Sequence, residues 1–249
     1  MTTREPGMSR TESPGQGDDV STAGAAPILD DEAGYRLVGP PTALGAEESA
    51  LLPPSATADG TLRRMLVSAL TLFGARGYHA VPVREIARGA GVRASSMYEH
   101  RASKEDLLFD LMITGHEEHH RWLVEAGEAA EPTPPARVRA YMDAHVRFHA
   151  TYRMLARVCN RELGSLSPER LQPVMAVRQA SVELLMDVLR DGQQQGVFAI
   201  PDLYLAAAAL GAMGLRVAEW YTPEADISVD TLAHTYAQYA LRMVGCRGS

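Results

Sequence analysis

The segment from Val83 to Lys104 constrains the fold of this chain more than any other stretch of comparable length. It contains the sequence VREIARGAGVRASSMYEHRASK, in which two short helical patterns flank Gly91 and a Ser-Lys pair begins a further helix. A glycine turn between two short helices is typical of a helix-turn-helix motif. Arginine and hydroxyl side chains recur at positions from which such a motif grips a duplex backbone. The segment therefore predicts a small helical head that contacts DNA.

The charges of the chain are distributed unevenly, although the formal net charge is −7. Residues 1–60 carry 3 Arg/Lys against 10 Asp/Glu, residues 61–104 carry 8 against 2, and residues 105–249 carry 13 against 19. A compact basic block between two acidic ones is the electrostatic footprint of a nucleic-acid-binding module attached to a larger body that does not bind nucleic acid.

The sequence predicts an all-α fold of about nine helices. Aromatic residues make up only 6% of the chain, and apolar stretches rich in alanine and leucine favour helices over sheets. Apolar residues recur at helical spacing, and no strand alternation persists. Capping residues, prolines and glycines set the ends, which predicts helices at 61–76, 82–89, 93–99, 103–126, 135–150, 152–163, 168–192, 201–221 and 229–244.

The N-terminal composition and the cysteine content bear on organisation and compartment. Residues 1–58 are rich in Pro, Gly, Ser, Asp and Glu and lack a sustained apolar period, so we expect a disordered tail. Cys159 and Cys246 are too few for a disulfide scaffold or a structural zinc finger. With no apolar run of about 20 residues and no signal-peptide pattern, we expect a cytoplasmic protein without a membrane span.

Residues 62–108 resemble the DNA-binding domain of the TetR/AcrR family of bacterial repressors. The matching elements, in order, are LFGARGY (72–78), VREIA (83–87), AGV (90–92), the pair Tyr98 and His100, and SKEDLL (103–108). The resemblance implies a three-helix DNA-binding domain at 59–105, followed by a helical ligand-binding and dimerisation domain at 106–249.

The candidate DNA contacts lie in and around the predicted second helix of the motif. Arg93 is the best candidate for a base contact, because arginine pairs bidentately with guanine in the major groove. Lys104 begins a helix, where the backbone amides and an ammonium group together attract a phosphate. The other candidates contact phosphates or bases through hydroxyl, guanidinium or imidazole groups, and they are Arg84, Ser95, Ser96, Tyr98 and His100.

One short helix reads only a few base pairs, so useful specificity requires two copies related by a dyad. We therefore expect a homodimer, acting as a repressor, that binds an inverted repeat in double-stranded DNA. The family resemblance implies that the last two helices, 201–221 and 229–244, form the dimer interface. The small residues of LAAAALGAMGLRV (205–217) fit that role, because they let helices approach closely.

A helical body joined to a DNA-binding head implies a switch controlled by a small-molecule effector, which changes DNA affinity by linkage. Methionine and large apolar side chains suit an adaptable cavity. The candidates for its lining are Trp122, Met142, Phe148, Met154, Met175, Leu185 and Trp220.

The C-terminal sequence also resembles one subgroup of the family, whose members respond to acyl-CoA thioesters. The resemblance lies in residues 161–171 and 218–245 and implies an acyl-CoA or another apolar carboxylic effector. Glu219 stands where that subgroup often has a basic residue, which argues against a contact with a CoA phosphate there.

Parts of the sequence also match two other classes of protein. His116 and His120 match the HExxH pattern of zinc proteases, but no third ligand can be identified downstream and the sequence has no other catalytic signature. We therefore expect that the protein is not an enzyme, and we assign it no cofactor and no metal. The pairs His116/His120 and His145/His149 leave open a shared regulatory metal ion. The alternative to a regulator is thus a helical metal- or small-molecule-binding protein without affinity for DNA.

Overall fold

The computed structural model describes residues 51–56, 60–93 and 103–246, and the regular elements in these ranges are all helical. The elements are α1 (Gly60–Arg76), α2 (Val83–Gly89), α3 (Lys104–Ala129), α4 (Pro134–Thr151), α5 (Arg153–Arg161), a 3-10 turn (Leu163–Ser165), α6 (Pro168–Gln194), α7 (Leu203–Trp220) and α8 (Val229–Met243).

The all-α prediction is confirmed, and eight of the predicted helices appear with ends within a few residues of those expected. The predicted helix at 93–99 lies outside the described residues except for Arg93. Within the ranges described, none of the helices has the length and apolar character needed to cross a membrane.

The helix ends follow from local sequence. Gly77 ends α1 with a φ of 78°, and Gly91 turns the chain after α2 with a φ of 67°, in the left-handed region that glycine adopts without strain. Ser103 and Asp106 form a capping box at the start of α3, in which each side chain accepts a hydrogen bond from the other residue's backbone N–H.

Two hydrophobic cores organise the molecule. The first joins α1 and α2 to the N-terminal half of α3, the end of α4 and α5, so that Phe73 and Leu111 share one core with Leu155. The second lies among α4, α6, α7 and α8, where Met142, Leu185 and Leu241 are buried together. The described helices of the head, α1 and α2, therefore share their core with the helices that follow residue 105.

Residues 51–56 correct the predicted boundary of the N-terminal tail. Leu52 is 1% exposed and belongs to the first core. Arg63 of α1 donates hydrogen bonds to the carbonyl oxygens of Leu52 and Ala56, and Ser55 Oγ donates to Glu118 Oε2 of α3 at 2.5 Å. The predicted tail at 1–58 therefore extends too far toward its C-terminal end, because its polar composition outweighed the buried Leu52. Residues 1–50 and 57–59 lie outside the described residues.

We expect Leu52→Ala to lower the free energy of unfolding by about 2–5 kcal/mol, because truncating a fully buried leucine loses its burial and leaves a cavity. Chemical denaturation of the full chain measures the change. Leu51→Ala is the matched control, since Leu51 is only half-buried, and its loss should be clearly smaller. Equal, small losses for both variants would contradict an anchored segment.

Candidate functional site

Two arginines predicted to contact DNA lie at the surface of the described part of the head. Arg84 on α2 and Arg93 after the glycine turn are both exposed, as expected for side chains that reach a duplex. Glu85 pairs with Arg76, and this hydrogen bond lowers the pKa of the Glu85 carboxyl. The remaining candidates for DNA contact in this segment, Ser95, Ser96, Tyr98 and His100, lie outside the described residues, so their roles stay predictions.

Lys104 has a structural role that the sequence did not indicate. Its Nζ donates to the carbonyl oxygens of Tyr78 and Val81, at 2.9 and 3.0 Å, and lies 4.1 Å from the centre of the Tyr78 ring. Partial burial lowers the pKa of the ammonium. These contacts hold the loop between α1 and α2 against the start of α3. A phosphate contact by Lys104 stays a prediction, and two of its three donors are already engaged inside the protein.

The head meets the body where α1 crosses α5. A Cβ atom added to Gly74 would lie 2.9 Å from Met154 Cγ, which is too close for a side chain, so glycine permits the approach of the two helices. Glu162, just after α5, accepts a hydrogen bond from the backbone N–H of Tyr78 at 3.0 Å. A displacement of α5 would therefore be transmitted directly to the head.

A cavity of about 80 Å³ lies in the body, on the side of α5 opposite α1. Helices α3, α4, α5, α6 and α7 contribute to its wall. The lining combines four imidazoles with apolar, aromatic and polar side chains: Gly115, His116, His119, Tyr141, His145, Phe148, His149, Ala156, Cys159, Asn160, Arg178, Ser181, Val182, Gly211 and Leu215.

Among the seven residues predicted to line a pocket, Phe148 alone lines this cavity. Met142 and Leu185 are buried in the second core, Trp122 stacks edge-on against Phe148 and Tyr152, and Met154 packs beside Gly74. The other two also lie elsewhere: Met175 is 41% exposed, and Trp220 packs at the end of α7. Apolar character at helical spacing identified core positions rather than the cavity wall.

The imidazoles of the cavity are held neutral. Burial lowers the pKa of His116 and of His145 to about 4. Burial, and then the neighbouring His145, lower the pKa of His119 and of His149 well below the ordinary value. The charged form is disfavoured because a buried cation loses hydration.

Three of these histidines come together. The Nε2 atom of His119 is 2.8 Å from Nδ1 of His145, and one ring nitrogen from each of His119, His145 and His149 lies within 4.8 Å of the others. The sequence left open an ion shared by His116/His120 and His145/His149, and the group that the structure brings together contains His119 in place of the α3 pair. His116 Nδ1 donates to Met112 O, and His120 Nδ1 is hydrogen-bonded with Ser181 Oγ.

The cavity also has one guanidinium and one thiol that the sequence did not single out. Arg178 of α6 donates to Asn160 Oδ1 at 2.9 Å, so its remaining N–H groups are available near the cavity. Burial raises the pKa of Cys159 to about 12, which keeps the thiol protonated and unreactive. The sequence signals that led to this site were the i, i+4 spacing of His145 and His149, the HExxH match at His116 and the large apolar residue Phe148.

Family comparisons agree with the head and body just described. Residues 65–111 match the model of bacterial regulatory proteins of the tetR family. Residues 131–244 match the model of the tetracyclin repressor-like C-terminal domain. Together these matches span the helices of the head and most of the body.

The matches to individual relatives span nearly the whole length of those proteins. The chain is 29% identical over 197 residues to the HTH-type transcriptional repressor KstR2 of Rhodococcus jostii (strain RHA1), which is 76% of this chain and 95% of that protein. It is 30% identical to a regulatory protein of the tetR family from Rhodococcus RHA1, with a TM-score of 0.71 over 77% of this chain and 100% of that one.

A third structure shares the fold at lower identity. AibR, solved in complex with isovaleryl coenzyme A and operator DNA, has a TM-score of 0.67 at 21% identity, covering 75% of this chain and 100% of that one. With the two relatives and the two family models, the conclusion is direct: this chain belongs to the TetR family, as a DNA-binding transcriptional regulator with a helical ligand-binding domain.

We expect the protein to lose stability as the pH falls from 7 to 5. The unfolded chain takes up protons at His116 and His145 below about pH 6.5, whereas in the folded chain burial lowers the pKa of both to about 4. Each of these two histidines therefore lowers the free energy of unfolding by about 1–2 kcal/mol at pH 5. Thermal unfolding at both pH values measures this.

In the same experiment, His149→Gln should reduce the difference in stability between pH 7 and pH 5, because it removes one buried imidazole. His234→Gln, at an exposed position of α8, is the control and should keep the full difference. Equal stability of the wild type at pH 7 and pH 5 would contradict the neutral buried cluster.

Proposed function

We propose that the protein is a cytoplasmic repressor that binds an inverted-repeat operator as a homodimer and leaves it when a small apolar acid or its CoA thioester occupies the cavity. The observation that carries the proposal is the position of α5. Ala156, Cys159 and Asn160 on this helix line the cavity, while Met154 contacts α1 of the head at Gly74.

The coupling follows from this arrangement. A ligand that fills the cavity pushes on the face of α5 that lines it, and the opposite face transmits the displacement to α1. Because protein interiors are close-packed, such a shift moves the head as a unit rather than being absorbed. The ligand lowers DNA affinity if it binds more tightly to the displaced state, by the same factor as DNA weakens ligand binding.

The chemistry of the wall favours an effector with an apolar part and an oxygen-rich end. Phe148, Val182 and Leu215 offer apolar surface, and Arg178 offers a cation for a carboxylate or a thioester carbonyl. A cavity of about 80 Å³ suits a short acyl group, so a CoA moiety would extend out of it. The isovaleryl coenzyme A bound by AibR belongs to this class, as does the subgroup that the C-terminal sequence resembles.

Exposed apolar side chains support the dimer. Tyr204 and Leu205 on α7 are 74% and 64% exposed, and Tyr239 and Met243 on α8 are 50% and 46% exposed. Exposed large apolar groups on adjacent elements are typical of an interface. These are the two helices that the family resemblance assigns to dimerisation, and a dyad between them would present two heads to an inverted repeat.

We expect Arg93→Ala to weaken binding to the operator by about 5–150-fold, the equivalent of losing about 1–3 kcal/mol in a bidentate contact with guanine. Fluorescence anisotropy with duplexes from the protein's own upstream region measures the dissociation constant. Arg139→Ala, at an exposed position of α4, is the control and should bind as the wild type. An unchanged dissociation constant for Arg93→Ala would contradict its role in base recognition.

We expect short-chain acyl-CoA thioesters or the corresponding carboxylic acids to raise the dissociation constant for that duplex by about 5–150-fold, the usual range for a coupling of 1–3 kcal/mol. Val182→Trp should abolish this response, because residue 182 lines the cavity and is 40% exposed, so the ring can block the entrance without disturbing the core. Ala176→Trp, at an exposed position of the same helix outside the cavity wall, should retain it.

The outcomes of this experiment separate the two parts of the proposal. Release by none of these compounds, with DNA binding intact, would overturn the effector class and leave the regulator. Release that Val182→Trp and Ala176→Trp both retain would overturn the assignment of this cavity as the effector site.

A further inference from the structure

The three clustered histidines come from two adjacent helices. His145 and His149 are one turn apart on α4, so they share a face, and His119 faces them from α3, which packs alongside. The three side chains offer one nitrogen each within 4.8 Å of one another. Small movements of the rings would bring these atoms to the separations found around a single metal ion.

The backbone fixes which nitrogens of two rings are free to coordinate. His145 donates its Nε2–H to Gly211 O at 3.0 Å, and His149 donates its Nδ1–H to His145 O at 2.7 Å. A carbonyl oxygen only accepts, so the lone pairs lie on Nδ1 of His145 and on Nε2 of His149. Metal-binding histidines are typically oriented in this way, with the second nitrogen donating to a backbone carbonyl.

Packing holds one of these rings in place. A Cβ atom on Gly214 would lie 2.0 Å from Cδ2 of His145, so α7 approaches the imidazole without an intervening side chain. The contact with Gly214 and the hydrogen bond to Gly211 O fix the orientation of the His145 ring. A preorganised ligand loses little conformational freedom when it binds a metal.

The third ring needs only a change of tautomer. Since Nδ1 of His145 accepts, Nε2 of His119 carries the hydrogen of the 2.8 Å contact between them. When the hydrogen moves to Nδ1 of His119, its Nε2 becomes a third ligand, and a cation replaces the hydrogen bond between the two rings.

We propose that His119, His145 and His149 form a binding site for one divalent transition-metal ion, with zinc as the preferred ion, whose remaining coordination position opens into the cavity. Neutral imidazole ligands suit zinc and its neighbours rather than magnesium or calcium. Three protein ligands with one open position are the arrangement of zinc sites that bind an exchangeable water or ligand.

The charge of such a site would select what enters the cavity. Among the described residues no carboxylate lines the cavity, so three neutral ligands would leave the ion with its full positive charge. Together with Arg178, the ion would favour an anionic or oxygen-donor molecule at the open position. The metal site rests on the geometry of the three rings and does not require the effector class proposed above.

The experiment uses the full chain, prepared without a polyhistidine tag and dialysed against a chelator. We expect isothermal titration with Zn²⁺ to give one ion per chain, and Co²⁺ to give the visible absorption of a four-coordinate site. Zn²⁺ should also raise the thermal unfolding midpoint, because a ligand that binds the folded state stabilises it.

Variants assign the ligands. His149→Gln and His119→Gln should each weaken Zn²⁺ binding at least about 100-fold, since even the loss of a group that only hydrogen-bonds to a metal ligand typically costs 10–100-fold. His120→Gln is the matched control on α3, next to His119 and outside the cluster, and should bind Zn²⁺ as the wild type does. Circular dichroism verifies that each variant is folded.

Two results would overturn the proposal. One is a wild-type protein that binds no stoichiometric Zn²⁺ and gives no visible Co²⁺ absorption, a result that does not depend on any variant. The other is equal loss of binding in His120→Gln and His149→Gln, which would place the ion elsewhere. Neither result bears on DNA binding, which the anisotropy measurement tests separately.

Discussion

The burial of α1 against α5 is the contact on which the rest of this structure depends. Phe73 and Leu70 of the head share a core with Leu155 and Val158 of α5, and Gly74 removes the side chain that would keep the two helices apart. A head that was packed only on itself would move independently of the body. Because the described helices of this head share their core with the body, any state of the body that shifts α5 also shifts those helices.

The same helix explains why polar side chains line part of a mainly apolar cavity. The side of α5 away from α1 carries Cys159 and Asn160, and the opposing helices contribute imidazoles in place of the leucines that fill the second core. Burying neutral imidazoles without their full hydration costs free energy, and the hydrogen bonds to Gly211 O and Met112 O offset part of that cost. Buried titratable groups grouped around a cavity are more typical of a binding site than of an ordinary packed core.

Much of the fold was predictable from residues that act locally. Ser103 and Asp106 cap α3 whatever surrounds them, and Gly77 and Gly91 adopt left-handed conformations that few other residues accept. Such signals placed the helix ends within a few residues. The sequence failed at Leu52, one of two adjacent leucines beside a polar stretch, because its burial depends on Arg63 and the core beneath it rather than on a sustained apolar period.

The sequence by itself determined the helices, the basic head and the family, since each depends on spacing, charge and capping along the chain. Only the tertiary structure decided the cavity. Met142 and Phe148 are alike in sequence as large apolar residues on one helix, and both are buried, yet only Phe148 also lines the cavity. His119, rather than His116, joins His145 for the same reason, because the approach of α3, α4 and α7 determines which helix faces meet.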